Sequence, residues 1–572
     1  MLFFGLLVLT LVGCLAGFSR WAWVPAALAL VRLWVDGPWI GGIVPLAELP
    51  FLVGIQDGRD LGLLQVLLVV YLAVHLYSVH YLGSERVQRR YFSLLALFLL
   101  GMATLMAAKS YLALVFGWEA IGLASFGLVS FYRQDDDVAR QASWVFWLNR
   151  GGDASLLVGV CLAMAGHAGA IYGFVGAAVV KSALFPFSAW LRWAMVGPTP
   201  ISALLHAATL VVSGVVLLTH PLVMQLWVFA PALPKLIGVW GVRSALLAAW
   251  AACQTTNLKR LLAYSTLAHI GLMMMVAPDG VLSLGHLGAH AIFKTGLFLS
   301  LGLLHRYDAG PWRPWAEVWQ TLRRRPWALG VVGAVVCFAW ALLGLAPLPA
   351  HASKAALFTT LGLYWPTAAP GLQMAYMGLT AVYAVRFVAG YAQALAAELE
   401  TKPHLARAQV AIVLALVPLL AWQPFGWAID NLLTTSASTL WMDLAAWGLL
   451  VAALAWQARE RAMIALPVGE ALFGRVDALW AGGLHTGGRL AQVLALLDTA
   501  WARLWVRVAQ AQVVLAWCLT SAERVVLATI RSLAWLLLQP FRWLVDDAGT
   551  LSPARMVWTA LAVALVAGWW FF

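Results

Sequence analysis

The feature that most constrains this chain is a near-unbroken succession of apolar segments. Each is close to the length of a membrane-crossing helix, and the short turns between them hold most of the charge. Of the 572 residues, 63% are hydrophobic and 10% are charged, against about 45–50% and about 25% in soluble globular domains. So little charge cannot clothe a water-facing surface, which excludes a water-soluble enzyme; the chain reads as an integral membrane protein with many spans. Strands are not expected, because an open sheet leaves backbone groups unsatisfied in lipid. The candidate spans are 1–17, 21–35, 61–79, 91–108, 110–131, 144–165, 170–190, 200–218, 236–252, 261–277, 283–304, 327–346, 353–365, 371–395, 405–424, 435–456 and 555–572. That amounts to roughly 14 to 17 transmembrane helices, the shorter ones broken or tilted. The opening stretch MLFFGLLVLTLVGCLAGFSRW lacks a basic leader and reads as a first span, not a cleaved signal peptide.

The formal charge of +12 belongs to the positive-inside bias of membrane proteins. The longest basic run, Arg323-Arg324-Arg325, is too short for a nucleic-acid surface, and no nucleic-acid partner is expected. The cysteines at 14, 161, 253, 337 and 518 form no CxxC, so neither an iron–sulfur cluster nor a structural zinc is expected. No phosphate-binding loop occurs, and no cofactor is expected in this chain. The basic residues divide unevenly: 29 are arginines and seven are lysines, Lys109, Lys181, Lys235, Lys259, Lys294, Lys354 and Lys402. Arginine occupies the turns, whereas Lys181, Lys259, Lys294 and Lys354 lie within or at the edge of apolar segments. Arginine does not release its proton inside a protein, while a desolvated lysine can. Those four read as groups that load and unload protons; snorkelling anchors are the plainer reading, and an equal one for Lys109, Lys235 and Lys402.

Two spans place prolines beside a lysine, in Val180-Lys181-Ser182-Ala183-Leu184-Phe185-Pro186 and in Pro347-Leu348-Pro349-Ala350-His351-Ala352-Ser353-Lys354. Proline breaks a helix, and a break at membrane depth persists where protein or water satisfies the freed backbone. Transporters put ion sites at such breaks, one in each of two inverted repeats. The spacing of Lys181 and Lys354 fits two inverted five-helix repeats. Between 457 and 545, arginines recur among Leu, Val, Ala and Trp, the pattern of a long amphipathic helix lying along a membrane or a partner. A pair of interfacial helices packed on their own domain is the plainer alternative.

Glu119 stands alone in LALVFGWEAIGLASFGLV, and Asp153 closes Asn149-Arg150-Gly151-Gly152-Asp153. A carboxylate in such surroundings needs a partner, and a Glu119–Lys181 pair between neighbouring helices is expected, each member responsive to the other's charge. His206 lies in GPTPISALLHAATLVVSG, while His286, His290 and Lys294 recur every fourth residue and share one helix stripe, as in a proton wire or hydrated track. The two histidines would also suit a metal, but no third ligand is evident and none is expected. His269 reads equally as a relay member or as a satisfied core histidine.

These motifs resemble a known family. GPTPISALLHAAT at 197–209, GWEAIGLASF at 117–126, NRGGD at 149–153, KSALFPFSAWL at 181–191, LKRLLAYST at 258–266 and HLGAHAIFKTGLFL at 286–299 are similar to signatures of the antiporter-like, proton-translocating membrane subunits of respiratory complex I and of Mrp-type cation/proton antiporters. The likeness covers about residues 60–395, and the C-terminal pattern resembles the largest complex I subunit of this kind, whose lateral helix runs along its sister subunits. The resemblance implies that Glu119, Lys181, His206, Lys259, His286, His290 and Lys294 lie on a hydrophilic axis, that Lys354 is its terminal lysine on a broken helix, and that Asp153 is an acid near the sixth helix. Two departures stand out: Ala355 follows the terminal lysine and Asn257 precedes the LKR motif, where the family commonly has acids.

The expected fold is therefore all-α and polytopic, with two inverted five-helix repeats and a C-terminal amphipathic lateral helix. The expected divisions are N-terminal helices at 1–60, the antiporter-like core at 61–395, further spans at 396–456, the lateral helix at 457–545 and a last span at 546–572. The resemblance implies proton translocation as a subunit of a complex I-type NADH:quinone oxidoreductase, with no redox site of its own. The alternatives are a coupling subunit of a two-component inorganic-carbon (DAB-type) uptake system, an Mrp-type antiporter subunit and a membrane-bound hydrogenase subunit. The expected partners are other membrane subunits, contacted partly through 457–545, together with protons and lipid, in a bacterial inner membrane.

Overall fold

The computed structural model describes residues 2–422 apart from 37–52, 56–57, 83–84, 133, 306, 308–312 and 402–405, together with 448, 474–478 and 481. The expected span at 555–572 lies outside the described residues, as do the span at 435–456 apart from 448 and the lateral helix at 457–545 apart from 474–478 and 481. The chain forms two compact units, Met1–Leu484 and His485–Phe572, and all the described residues belong to the first.

The described chain is helical almost throughout. In order the helices are α1 (Leu2–Leu15), α2 (Trp23–Asp36), α3 (Gly58–Tyr81), α4 (Glu85–Met106), α5 (Tyr111–Val129), α6 (Asp136–Met164), α7 (Ala170–Lys181), α8 (Ala189–Trp193), α9 (Thr199–Ala207), α10 (Ser213–Leu218), α11 (Pro221–Met224), α12 (Leu233–Gln254), α13 (Leu258–Met275), α14 (Gly280–Leu301), α15 (Trp315–Arg323), α16 (Pro326–Leu343), α17 (Pro349–Tyr364), α18 (Ala369–Thr401) and α19 (Arg407–Ala415). Among the described residues the sole extended pairing is an isolated bridge between Val53 and Ala108. Helix ends follow local chemistry. Ser110, Asp135, Asn257 and Asp279 cap α5, α6, α13 and α14 with side-chain oxygens, taking up backbone N–H groups that have no partner within the helix. Prolines occupy the first turns of α9, α12, α16 and α17, where the missing N–H costs no hydrogen bond.

Among the described residues, six helices are long and apolar enough to cross a membrane: α3, α4, α5, α12, α16 and α18. The helices that carry most of the expected relay, α13 and α14, are not among them, because their polar groups lower the hydropathy. They sit at the centre instead. Nearly every residue of both is buried, on all sides of the helix, the signature of a helix enclosed by protein. Short connections alternate the helix directions, so the start of α13 and the end of α14 lie on one face of the membrane. The Leu258 N–H donates to the Tyr307 carbonyl there at 2.8 Å. Arg260, in the first turn of α13, is exposed, as are Arg90 and Arg324.

Among the described residues two apolar passages are interrupted. The run beginning at α7 stops at Lys181 and resumes as α8, with Pro186 in the break, whereas the break between α9 and α10 has no proline. Pro347 lies in the short connection between α16, a full-length candidate span, and α17. Glycine permits close approach: a Cβ on Gly173 of α7 would lie 2.4 Å from the Gly159 Cα of α6, so these backbones touch directly, as small residues permit between membrane helices.

Candidate functional site: a buried polar axis

The first half of the site is built where α5, α6 and α7 meet. Arg150 and Asp153 are three residues apart on α6 and share a face. The Arg150 guanidinium lies 2.5 Å from the Glu119 carboxylate and 2.5 Å from Asp153 Oδ2. Asp153 Oδ1 accepts from the Lys181 ammonium at 2.9 Å and from the Trp118 indole N–H at 2.5 Å. The expected direct Glu119–Lys181 pair is therefore corrected. Glu119 pairs with Arg150, Lys181 with Asp153, and Arg150 joins the two. The reason lies in helix phase: one turn of α6 puts a cation and an anion between the two elements. Lys181 has no exposed surface, sits in the last turn of α7 where the helix dipole favours a cation, and faces the Trp118 ring at 4.9 Å.

The second half contains buried cations held by neutral oxygens. Lys259 Nζ donates to the Gly197 carbonyl at 2.9 Å and faces the Tyr307 ring at 5.2 Å. Lys294 Nζ donates to the Leu262 carbonyl at 3.3 Å and to the Ser265 hydroxyl. Lys354 Nζ donates to the Leu343 carbonyl at 2.9 Å and the Leu342 carbonyl at 3.4 Å. These carbonyls belong to the last turn of α16, which has no helical donors left and carries the negative end of the dipole. All three lysines are buried, and unpaired ammonium groups at such depth are costly enough to imply a use.

Histidines fill the space between these lysines. His206 is fully buried and stacks on Phe298 at 5.2 Å; neither of its ring nitrogens has a hydrogen-bond partner among the described residues. The charges acting on it are those of Lys294 and Lys259. His290 Nδ1 lies 2.9 Å from the Ala207 carbonyl, and its Nε2 has no partner among the described residues. His269 Nδ1 and His286 Nε2 are 3.0 Å apart, and His286 Nδ1 lies 3.0 Å from the hydroxyl of Ser353, the neighbour of Lys354. His269, which the sequence leaves equally a relay member or a core histidine, is brought from α13 to His286 of α14. Arg150 is the residue that the sequence reading missed, although the NRGGD motif contains it. Lys109, by contrast, ion-pairs at 2.6 Å with the buried Asp60, away from these groups.

Gly344, which caps α16, is left-handed with φ +73°, and a Cβ there would meet Lys354 Cδ at 2.6 Å. Gly344→Ala is expected to cost about 1–2 kcal/mol from backbone handedness alone and to displace the Lys354 side chain. A melting temperature lowered by several degrees in detergent would check the first effect, and weakened proton flux the second.

The site thus gathers buried lysines and histidines, with the carboxylates of Asp153 and Glu119, on helices of an apolar bundle. Residues 162–369 match the transmembrane family described as NADH:quinone oxidoreductase/Mrp antiporter, which bears out the resemblance drawn from the motifs. NADH-quinone oxidoreductase subunit L of Mycobacterium tuberculosis (strain CDC 1551 / Oshkosh) is 38% identical over 253 residues, covering 40% of this chain and 40% of that protein. Its counterpart from Escherichia coli (strain K12) is 36% identical over 277 residues, covering 43% of this chain and 44% of the relative. The alignments therefore span well under half of these relatives. Among solved structures, a chain of the Mrp complex from Dietzia sp. DQ12-45-1b shares the fold with TM-score 0.68 and 24% identity, over 90% of this chain and 62% of that one. A chain of respiratory complex I from Thermus thermophilus does so with TM-score 0.57 and 21% identity, over 75% and 98%.

Proposed function

We propose that the chain translocates protons across a bacterial inner membrane as the antiporter-like subunit of a complex I-type NADH:quinone oxidoreductase. The observation that carries the reading is the set of buried titratable side chains Asp153, Lys181, Lys259, His206, Lys294, His290, His269, His286 and Lys354, with the half-buried Glu119 and Arg150 beside the first two. A fixed structural ion would be cheaper as arginine, whereas lysine and histidine both exist in neutral and charged forms. Protons move between them by hydrogen bonds and, across gaps such as that around His206, through bridging water. The first half is the switch: a carboxylate shared by Arg150 and Lys181 changes partners when either end changes charge. Redox chemistry would come from partner subunits. The subunit L relatives support the complex I setting, and the inverted repeats and the lateral helix at 457–545 belong to the same reading.

Purification of the full chain in mild detergent tests the setting. Redox subunits are expected to accompany it; recovery with small antiporter subunits, hydrogenase subunits or a zinc-bearing soluble partner would replace complex I by one of the alternatives. Proton carriage is tested by Lys294→Met, which keeps the length of the side chain and removes the ammonium. In sealed vesicles containing the assembled complex, the initial rate of acidification, read with a pH-sensitive dye, is expected to fall at least about tenfold, the equivalent of about 1.4 kcal/mol. An unchanged rate would remove Lys294 from the path.

A further inference from the structure

We propose that His305 and Glu398 form the aqueous mouth through which protons reach Lys259. This rests on the reading of the buried axis as a proton path and adds its connection to water. The short segment after α14 turns back over the start of α13. Its Tyr307 accepts the Leu258 N–H, pairs through its hydroxyl with Thr199 at 2.6 Å, and lies beneath the Lys259 ammonium. Two residues earlier, His305 Nδ1 lies 2.8 Å from Glu398 Oε1, and the His305 backbone N–H donates to Glu398 Oε2 at 3.3 Å. Exposure falls stepwise inward, from 61% for the His305 side chain to 9% for that of Glu398 and 4% for Lys259.

This pair is not a loose surface contact. Glu398 stands near the end of α18, whose terminal turns are clamped to the opposite segments: Arg325 donates to the Leu399 carbonyl at 2.9 Å, Arg313 pairs with Glu400 at 2.5 Å, and Gln393 both accepts from and donates to the Arg313 backbone. The start of α13 itself offers no acid, because Asn257 serves as its cap. Among the described residues, His305 is the imidazole on the segment that carries Tyr307, and Glu398 is the acid that pairs with it. The His305 side chain is 61% exposed and so stands in contact with water. The step is a proton transfer with no other change: protonated His305 gives its Nδ1 proton to Glu398 Oε1, and the carboxylic acid then passes a proton through water to neutral Lys259. The arginine-rich face on which the pair opens is the one that the positive-inside rule puts in the cytoplasm.

The test uses the full chain assembled with its native partners in sealed, inside-out membrane vesicles. Glu398→Gln keeps an oxygen to accept the His305 N–H, and His305→Asn keeps a polar side chain without the imidazole. Each is expected to lower proton flux at least about fivefold at low external buffer and to recover as the concentration of an impermeant buffer is raised, since buffer then takes over collection. Glu398→Asp, which retains a carboxyl, is expected to stay within about twofold of the unaltered chain. Lys259→Ala serves as the reference and is expected to lose flux at every buffer concentration. Normal flux in both mouth variants, with loss in Lys259→Ala, would overturn the mouth while leaving the axis intact. A loss in Glu398→Gln that buffer does not relieve would make the pair a structural clamp and overturn it as well. Full flux in Lys259→Ala would overturn both the mouth and the reading beneath it.

Discussion

Lys181→Ala is expected to abolish proton flux, to below about one-hundredth of the unaltered rate, while the chain still inserts and assembles. The ammonium is one of two cations on Asp153, 2.9 Å away. Without it the carboxylate keeps Arg150 and the Trp118 N–H, so the buried anion is not orphaned and the several kcal/mol cost of an unpaired buried ion is avoided. What disappears is the ammonium that carries and gives up a proton at the break after α7. Flux in vesicles, compared with the amount of assembled complex, is the measurement; flux near normal would exclude Lys181 from the mechanism. Arg150→Lys would not substitute for it, because the two carboxylates sit at different prongs of one planar guanidinium.

Lys354→Arg is the second large expected effect. The guanidinium keeps the positive charge beside the carbonyls of Leu342 and Leu343 and over the Tyr376 ring, which the ammonium faces at 5.1 Å. It retains its proton throughout, so a proton arriving from the His269–His286–Ser353 chain finds no base to receive it. Turnover and flux are expected to fall at least about thirtyfold with little change in melting temperature. Unchanged flux would make Lys354 a static charge. In Lys354→Met, by contrast, the last-turn carbonyls lose their cation, and a loss of stability as well as of flux is expected.

Much of this site is legible from residue type and position. Lys181 and Lys354 stand out because proline beside a lysine marks a break and an ion at one place, and His286, His290 and Lys294 because a spacing of four aligns side chains on any α-helix. What spacing does not carry is the identity of the neighbour across a helix interface. Arg150 resembles another turn arginine in sequence, yet α6 extends from Asp136 and holds it opposite Glu119. His269 is ambiguous for the same reason, since only the packing of α13 against α14 brings it to His286. The interruption between α9 and α10 leaves no trace in composition. Its Thr209 hydroxyl bonds the Leu204 carbonyl, and the Val211 N–H reaches back to Leu205, so the backbone satisfies its own polar groups without proline.

The contrast between a first half in which a carboxylate holds the lysine and a second half in which backbone oxygens do so, joined at Lys294 by the Ser265 hydroxyl, has a consequence for variation. Side-chain anchors can be erased by one codon, whereas peptide oxygens persist whatever residue carries them. A saturation scan of the second half would find the ammonium-bearing positions intolerant and most of their surroundings permissive, so retuning it would require shifting a helix terminus, by insertion, deletion or a displaced glycine, in place of exchanging a side chain.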